Sequence, residues 1–365
     1  MNPNPTTTTF MLSSPSEPHQ HLELESVREV PDSHAWPALD DHPTVYEPVP
    51  VVDLAGPDAS VAHLARVCES WGAFQVTGHG IRSDLLERLE SETRRLFALP
   101  MDQKLKAARP SNGISGYGLA RISCFFSKLM WSEGFTISGS PLDHALKLWP
   151  DANPSRFCDV MQECSDEMKQ VAGRVVRLML LSMGLTPEEM KRAEEGTRVD
   201  QLSAVLQLNS YPPCPDPNRA MGLAAHTDSS LVTLLFQSGT SGLQLLRRQD
   251  QHGPARWVTV PPRPGALIVL AGDLLQILTN GRYKSVAHRA VVNRNHHRVS
   301  VAYICGPPPH HKLSPVGKPA SPAPCLAYRA VSWADYLGLK AELFDKALAS
   351  IMVAEDSRGD EGICC

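Results

Sequence analysis

From Leu202 onward the chain breaks into short β-rich runs separated by Pro, Gly, Asn and Asp, and no other feature constrains the fold as strongly. The runs fall at residues 203–210, 222–227, 231–236, 242–246, 256–260, 266–270, 285–293 and 298–305. Many short strands at this spacing imply a sandwich or a barrel. The flanks read differently. Residues 154–183 and 328–352 carry apolar side chains at helical intervals, so the expected class is α+β with a mainly β core and flanking helices.

The N-terminal part is mixed. Residues 1–24 are rich in Thr, Ser, Pro and Asn without an apolar period, and read as a disordered tail. Over 48–153 the pattern predicts an α/β region. It has a strand at 49–54, kept at a sheet edge by Pro50, and a helix capped by Ser60 that ends near Trp71-Gly72. A strand at 73–77 follows, then a helix from Ser83 that stops at Leu99-Pro100. Residues 110–153 hold Gly and Pro but also Phe125, Phe126, Met130, Trp131 and Phe135, and read as an ordered, packed loop. Thr186-Pro187-Glu188-Glu189 has the form of a capping box with proline at the first helical position. The β core is expected over 202–306 and a helical segment over 326–355, covering an outer face of that core.

Bulk properties exclude several classes. In 365 residues, 42% hydrophobic, the formal charge is −4 with intermixed signs, which offers no field for nucleic acid or for a membrane surface. A small-molecule partner and a monomer are expected. The first 27 residues lack Lys and Arg, and the longest apolar stretch, Val175 to Leu185, is interrupted by Arg177. Neither a targeting segment nor a membrane span is expected, and the reading is cytoplasmic. Nine cysteines, odd in number and without C-x-x-C spacing, point to reduced thiols.

The chemistry concentrates in His226-Thr227-Asp228, His288 and Arg298-Val299-Ser300. In a strand, residues two apart share a face, so His226 and Asp228 can offer an imidazole and a carboxylate to one ion, with His288 as third ligand. Two histidines and one carboxylate leave coordination positions open, the arrangement of non-haem Fe(II) oxygenases. Arg298 and Ser300 would face one carboxylate, with Tyr211 able to add a bond, and Asn295-His296-His297 reads as a hairpin turn back to the His288 strand. A zinc hydrolase would have no evident need for that clamp, and a cupin-like binding or storage protein leaves it unexplained. His79, His296, His297, His310 and His311 read as turn or surface residues, and Gly116-Tyr117-Gly118 does not complete a dinucleotide fingerprint.

These motifs, with NSYPPCPDP (209–217) and WGAFQVTGHGI (71–81), resemble the plant 2-oxoglutarate and Fe(II)-dependent dioxygenases across residues 48 to 345. The resemblance implies a double-stranded β-helix, or jelly roll, with iron on His226, Asp228 and His288. It also implies that Arg298, Ser300 and Tyr211 hold the distal carboxylate of 2-oxoglutarate, with Asn209 near the cosubstrate, and that O2 and ascorbate are needed. Within the family, CFFSKLMWSEGFTI (124–137) and YRAVSWADYLGLK (328–340) are most similar to gibberellin 3-beta-hydroxylases. That subgroup implies hydroxylation of a diterpenoid acid, a 19-carbon gibberellin precursor, at carbon 3. Phe125, Phe126, Met130, Trp131 and Phe135 are candidates for an apolar substrate wall, and Lys128 or an arginine for the counter-charge. A gibberellin 2-oxidase or 20-oxidase, or a flavonoid oxygenase, would share the same iron and cosubstrate residues.

Overall fold

A computed structural model describes residues 22–37, 39, 41–56, 61–150, 154–248, 253–318 and 327–353. Most of the expected tail and the Ser60 cap lie outside these residues. The first strands and helices are β1 (Thr44–Val45), β2 (Val51–Asp53), α1 (Val61–Ser70), β3 (Ala73–Thr77), α2 (Ser83–Phe97) and α3 (Met101–Leu105). Next come β4 (Gly116–Gly118), β5 (Glu133–Ile137), α4 (Leu142–Leu148), α5 (Ser155–Leu181) and α6 (Pro187–Glu194). The core strands are β6 (Ser203–Tyr211), β7 (Met221–His226), β8 (Val232–Gln237), β9 (Leu243–Arg248), β10 (Ala255–Thr259) and β11 (Leu267–Ala271). The chain continues through α7 (Asp273–Leu278), β12 (His288–Val291), β13 (Arg298–Gly306) and α8 (Trp333–Leu343).

Each of the eight runs expected after Leu202 is a strand, and together they build a double-stranded β-helix. Its large sheet has the order β2-β3-β11-β8-β13-β6-β5-β4, and its small sheet β1-β10-β9-β12-β7. β2 is an edge strand, as Pro50 requires, and pairs parallel with β3. Period-two alternation sorts the side chains of the large sheet. Leu206, Leu208, Val301, Tyr303, Leu234 and Phe236 join the main core, where α1, α2 and α5 cover the outer face. The opposite faces of the same strands carry Gln207, Asn209, Tyr211, Arg298 and Ser300 toward the small sheet. At the closed end Leu235, Ala302, Leu243, Leu245, Val258 and Ile268 fill the space between sheets.

The helices form where the periodicity places them. α5 buries Phe157, Val160, Met161, Cys164, Met168, Val171, Val175 and Met179 along one stripe, each such side chain contributing on the order of 1.5–3 kcal/mol. α6 starts in the expected capping box: Thr186 Oγ1 accepts from the Glu189 N–H, and Glu189 accepts from the Thr186 N–H.

Three expectations need correction. β12 and β13 are not a hairpin: β12 pairs with β7 and β9 in the small sheet, and β13 with β6 and β8 in the large one, so residues 292–297 cross between sheets. Residues 110–153 are more than a loop, because β4 and β5 extend the large sheet beyond β6 and α4 follows. The single helix expected over 328–352 is broken: α8 ends at Leu343 because Phe344, with a φ of 48°, cannot continue it, and a 3-10 turn (Phe344–Lys346) and a short helix (Ala347–Ser350) follow.

Candidate metal centre and anion clamp

Strand pairing brings the two histidines together. His226 ends β7, His288 begins β12, and the register sets them directly opposite each other with ring centroids 4.3 Å apart. The strand does not continue to Asp228 as the two-residue periodicity assumed. It stops, and the following turn carries the carboxylate back, with Asp228 Oδ1 3.6 Å from His226 Nε2 and 3.8 Å from His288 Nε2. The three donor atoms lie within 4.8 Å of one another.

The backbone fixes which nitrogen of each ring is available. His226 Nδ1 lies 2.8 Å from the Ala224 carbonyl oxygen, and His288 Nδ1 lies 3.1 Å from that of Val286. With Nδ1–H donating to a carbonyl, the Nε2 lone pair is free for an ion. Burial, reinforced by the neighbouring His288, holds His226 down at about 4. Burial opposes ionisation of Asp228, but His288, His226 and a hydrogen bond from Thr233 outweigh it, and its carboxyl sits below the usual range. The site is therefore a neutral imidazole beside a carboxylate, the protonation state a divalent metal requires. Two nitrogens and one oxygen on one side of an ion fit Fe(II) and leave positions open.

The residues expected to clamp an anion stand on the opposing sheet. Register pairs Arg298 with Tyr211, and Ser300 with both Asn209 and Gln237. Arg298 is 1% exposed, yet only its Nη2 finds a partner, Gln237 Oε1 at 3.1 Å; Nε and Nη1 are buried without one. A buried guanidinium short of acceptors is costly unless an anion completes it. The Tyr211 ring lies 4.9 Å from the guanidinium carbon. Burial raises the Tyr211 phenol above its ordinary value, opposed by Arg298 and Ser300, so it remains a hydroxyl.

Gly242 lets this arginine cross between sheets. A Cβ there would meet Arg298 Cδ at 2.8 Å and the Val291 carbonyl oxygen at 2.9 Å. The Val291 N–H donates to the Gly242 carbonyl, so the arginine stem meets the small sheet three residues along β12 from His288, roughly 10 Å at strand rise.

Asn209 is held by a relay the sequence did not reveal. Its Oδ1 accepts from Gln207 Nε2 at 3.0 Å, Gln207 Oε1 accepts from Thr136 at 2.6 Å, and Thr136 Oγ1 accepts from Arg109 Nη2 at 3.1 Å. Burial, with Arg121 nearby, lowers Arg109 to about 10. The suggested wall residues are dispersed. Phe126 and Met130 cluster with Met221 and Ala224 of β7, close to His226, and Phe126 meets Trp36 and Phe344. Phe125 stacks on Phe344 at 4.6 Å. Trp131 is buried beside Tyr211 and Ala290, and Phe135 in the main core. Lys128 Nζ donates to the Asp32 carbonyl at 2.7 Å on the exposed side.

Fold and site together define a mononuclear non-haem iron oxygenase. The 2OG-Fe(II) oxygenase superfamily matches residues 202–307, and the family of the non-haem dioxygenase in morphine synthesis N-terminal region matches residues 49–156. The chain belongs to the 2-oxoglutarate and Fe(II)-dependent oxygenases, whose reaction uses Fe(II), 2-oxoglutarate and O2. Within that family its relatives include gibberellin 3-beta-dioxygenase 1 of Arabidopsis thaliana, 47% identical over 92% of this chain and 94% of the relative. Gibberellin 3-beta-dioxygenase 2-3 of Triticum aestivum is 45% identical over 94% and 95%. Among solved structures, JOX2 in complex with 2OG, Fe and JA superposes with a TM-score of 0.74 at 29% identity, covering 90% of this chain and 95% of that one. No helix among the described residues is long and apolar enough to cross a membrane.

Proposed function

We propose that this enzyme hydroxylates 19-carbon gibberellin precursors at the 3-beta position, with Fe(II) held by His226, Asp228 and His288. When bound, the iron with 2-oxoglutarate and O2 supplies the oxidant that converts a C–H into a C–OH, leaving succinate and CO2. The chain's residues bind, orient and exclude water. Arg298 grips the distal carboxylate of 2-oxoglutarate with the two nitrogens that lack partners, flanked by the Ser300 and Tyr211 hydroxyls, with Asn209 alongside. The offset of the arginine along the strand from His288 matches a dicarboxylate whose other end reaches the metal.

The observation that carries the substrate assignment is identity of 40–47% to eight gibberellin 3-beta-dioxygenases over at least 90% of this chain. Phe126 and Met130 supply apolar contact for the terpenoid skeleton beside β7. Lys128 is occupied at the surface, and Arg109, at the end of the relay to Asn209, is the better-placed counter-charge for the substrate acid. The reading includes a monomer in the cytosol; the formal charge of −4, with intermixed signs, offers no basic field for a membrane surface. Incubation with a precursor, Fe(II), 2-oxoglutarate and ascorbate tests it: a product oxygenated at carbon 3 supports the reading, and absence of any gibberellin product removes it.

A further inference from the structure

The turn carrying two of the three metal donors is gripped from behind by a buried ion pair. Thr227, between His226 and Asp228, donates its hydroxyl to Asp273 Oδ2 at 3.0 Å and accepts from Lys340 Nζ at 2.6 Å. Lys340 and the Tyr336 hydroxyl also donate to Asp273 Oδ2, each at 2.8 Å. The Asp273 side chain is fully buried and that of Lys340 is 12% exposed. The main chain adds a second grip. The Asp273 N–H donates to the Asp228 carbonyl at 2.8 Å, Leu274 N–H to that of Ser230 at 3.1 Å, and Gly272 N–H to that of Leu231 at 3.0 Å. Only glycine permits this approach, since a Cβ on residue 272 would lie 2.2 Å from the Ser230 carbonyl oxygen.

Burying an aspartate and a lysine is an inefficient way to stabilise a fold, because apolar replacements of similar volume often do as well. Here both charges converge on the one side chain between two metal donors, and one comes from α8, 113 positions along the chain. Tyr336 is one turn earlier on the same helix, so α8 presents a lysine and a phenol to one carboxylate oxygen. This arrangement specifies position.

We propose that Lys340 and Asp273 are positioning residues for the metal: they hold Thr227 so that the His226 and Asp228 donors are aimed at one point before the ion arrives. The proposal rests on the assignment of His226, Asp228 and His288 to the iron. Partners behind metal ligands typically govern affinity by about 10–100-fold.

Co(II) binding to the full chain, followed by titration calorimetry and the visible absorption of the bound ion, provides a readout independent of turnover. Thr227→Val removes the hydroxyl at nearly constant shape and should weaken Co(II) binding by about tenfold or more and alter the absorption, whereas Thr227→Ser should bind like the parent. Lys340→Met should weaken binding similarly, and if it does not fold, the Thr227 pair decides alone. Binding by Thr227→Val within about twofold of the parent overturns the proposal, as does equal weakening in Thr227→Ser, which would make the methyl group responsible. His226→Ala separates the two levels. If it binds Co(II) like the parent, the metal assignment has failed, whatever the Thr227 variants do.

Discussion

Replacing Arg298 by Met separates a cosubstrate clamp from a structural ion more sharply than any other single change. The guanidinium is 1% exposed, its Nε and Nη1 have no partner, and its contacts among the described residues are a hydrogen bond to Gln237 and the neighbouring Tyr211. Methionine keeps much of the stem and removes the charge. Two charge-assisted bonds to a carboxylate, each about 1.5–3 kcal/mol, give a loss on the order of 3–6 kcal/mol in the cosubstrate complex. At about 1.4 kcal/mol per factor of ten, the KM for 2-oxoglutarate should rise by about 100-fold or more. The protein without cosubstrate should respond in the opposite sense. An incompletely paired buried charge is removed at the cost of the bond to Gln237 and the contact with Tyr211, so its melting temperature should hold or increase. Succinate release against 2-oxoglutarate concentration gives the first quantity, and calorimetry with and without 2-oxoglutarate the second. A KM within about threefold of the parent, together with a lower melting temperature, would refute the reasoning and make Arg298 a structural residue.

Arg109→Met should raise the KM for the gibberellin precursor while Lys128→Met leaves it unchanged; steady-state kinetics with both variants decides between the two cations, and the opposite result would reassign the counter-charge. The pH dependence follows from His226, which stays neutral in the folded protein down to about 4 while the unfolded chain protonates below its ordinary 6.5. The stability it contributes is therefore complete above 6.5 and lost as the pH falls toward 4. Denaturant unfolding of the metal-free protein at about pH 7 and about pH 5 should show that loss, reduced in His226→Gln; an equal loss in the variant would contradict the assignment. Thr186→Ala removes the α6 capping box and should cost about 1 kcal/mol without changing either KM, as chemical denaturation and kinetics would show.

What the sequence disclosed follows from the range of the interactions involved. The eight core strands and the α6 cap were legible because period-two alternation and the Thr186–Glu189 pattern are local. The grouping of His226, Asp228 and His288 was legible because two of them stand two positions apart in sequence, although the inference used a strand that ends at His226. Strand pairing was hidden: nothing near residues 292–297 announces that β12 and β13 belong to different sheets. β4 is three residues with two glycines, too short for alternation to register, and α7 is six wholly buried residues that follow the wholly buried β11 after Gly272 alone, too short for a helical period to show. Gln237, Thr136 and Lys340 join the site from 61, 71 and 113 positions away from the residues they touch, and no local pattern encodes such contacts.

The central claim is the carbon at which the substrate is oxidised, since His226, Asp228, His288 and Arg298 would serve any member of the family. The most direct measurement is mass spectrometry, against authentic standards, of the product formed from a labelled 19-carbon gibberellin precursor with Fe(II), 2-oxoglutarate and ascorbate. A 3-beta-hydroxylated product formed in step with succinate is the predicted result. A product hydroxylated at carbon 2, or succinate released with the gibberellin unchanged, would contradict it.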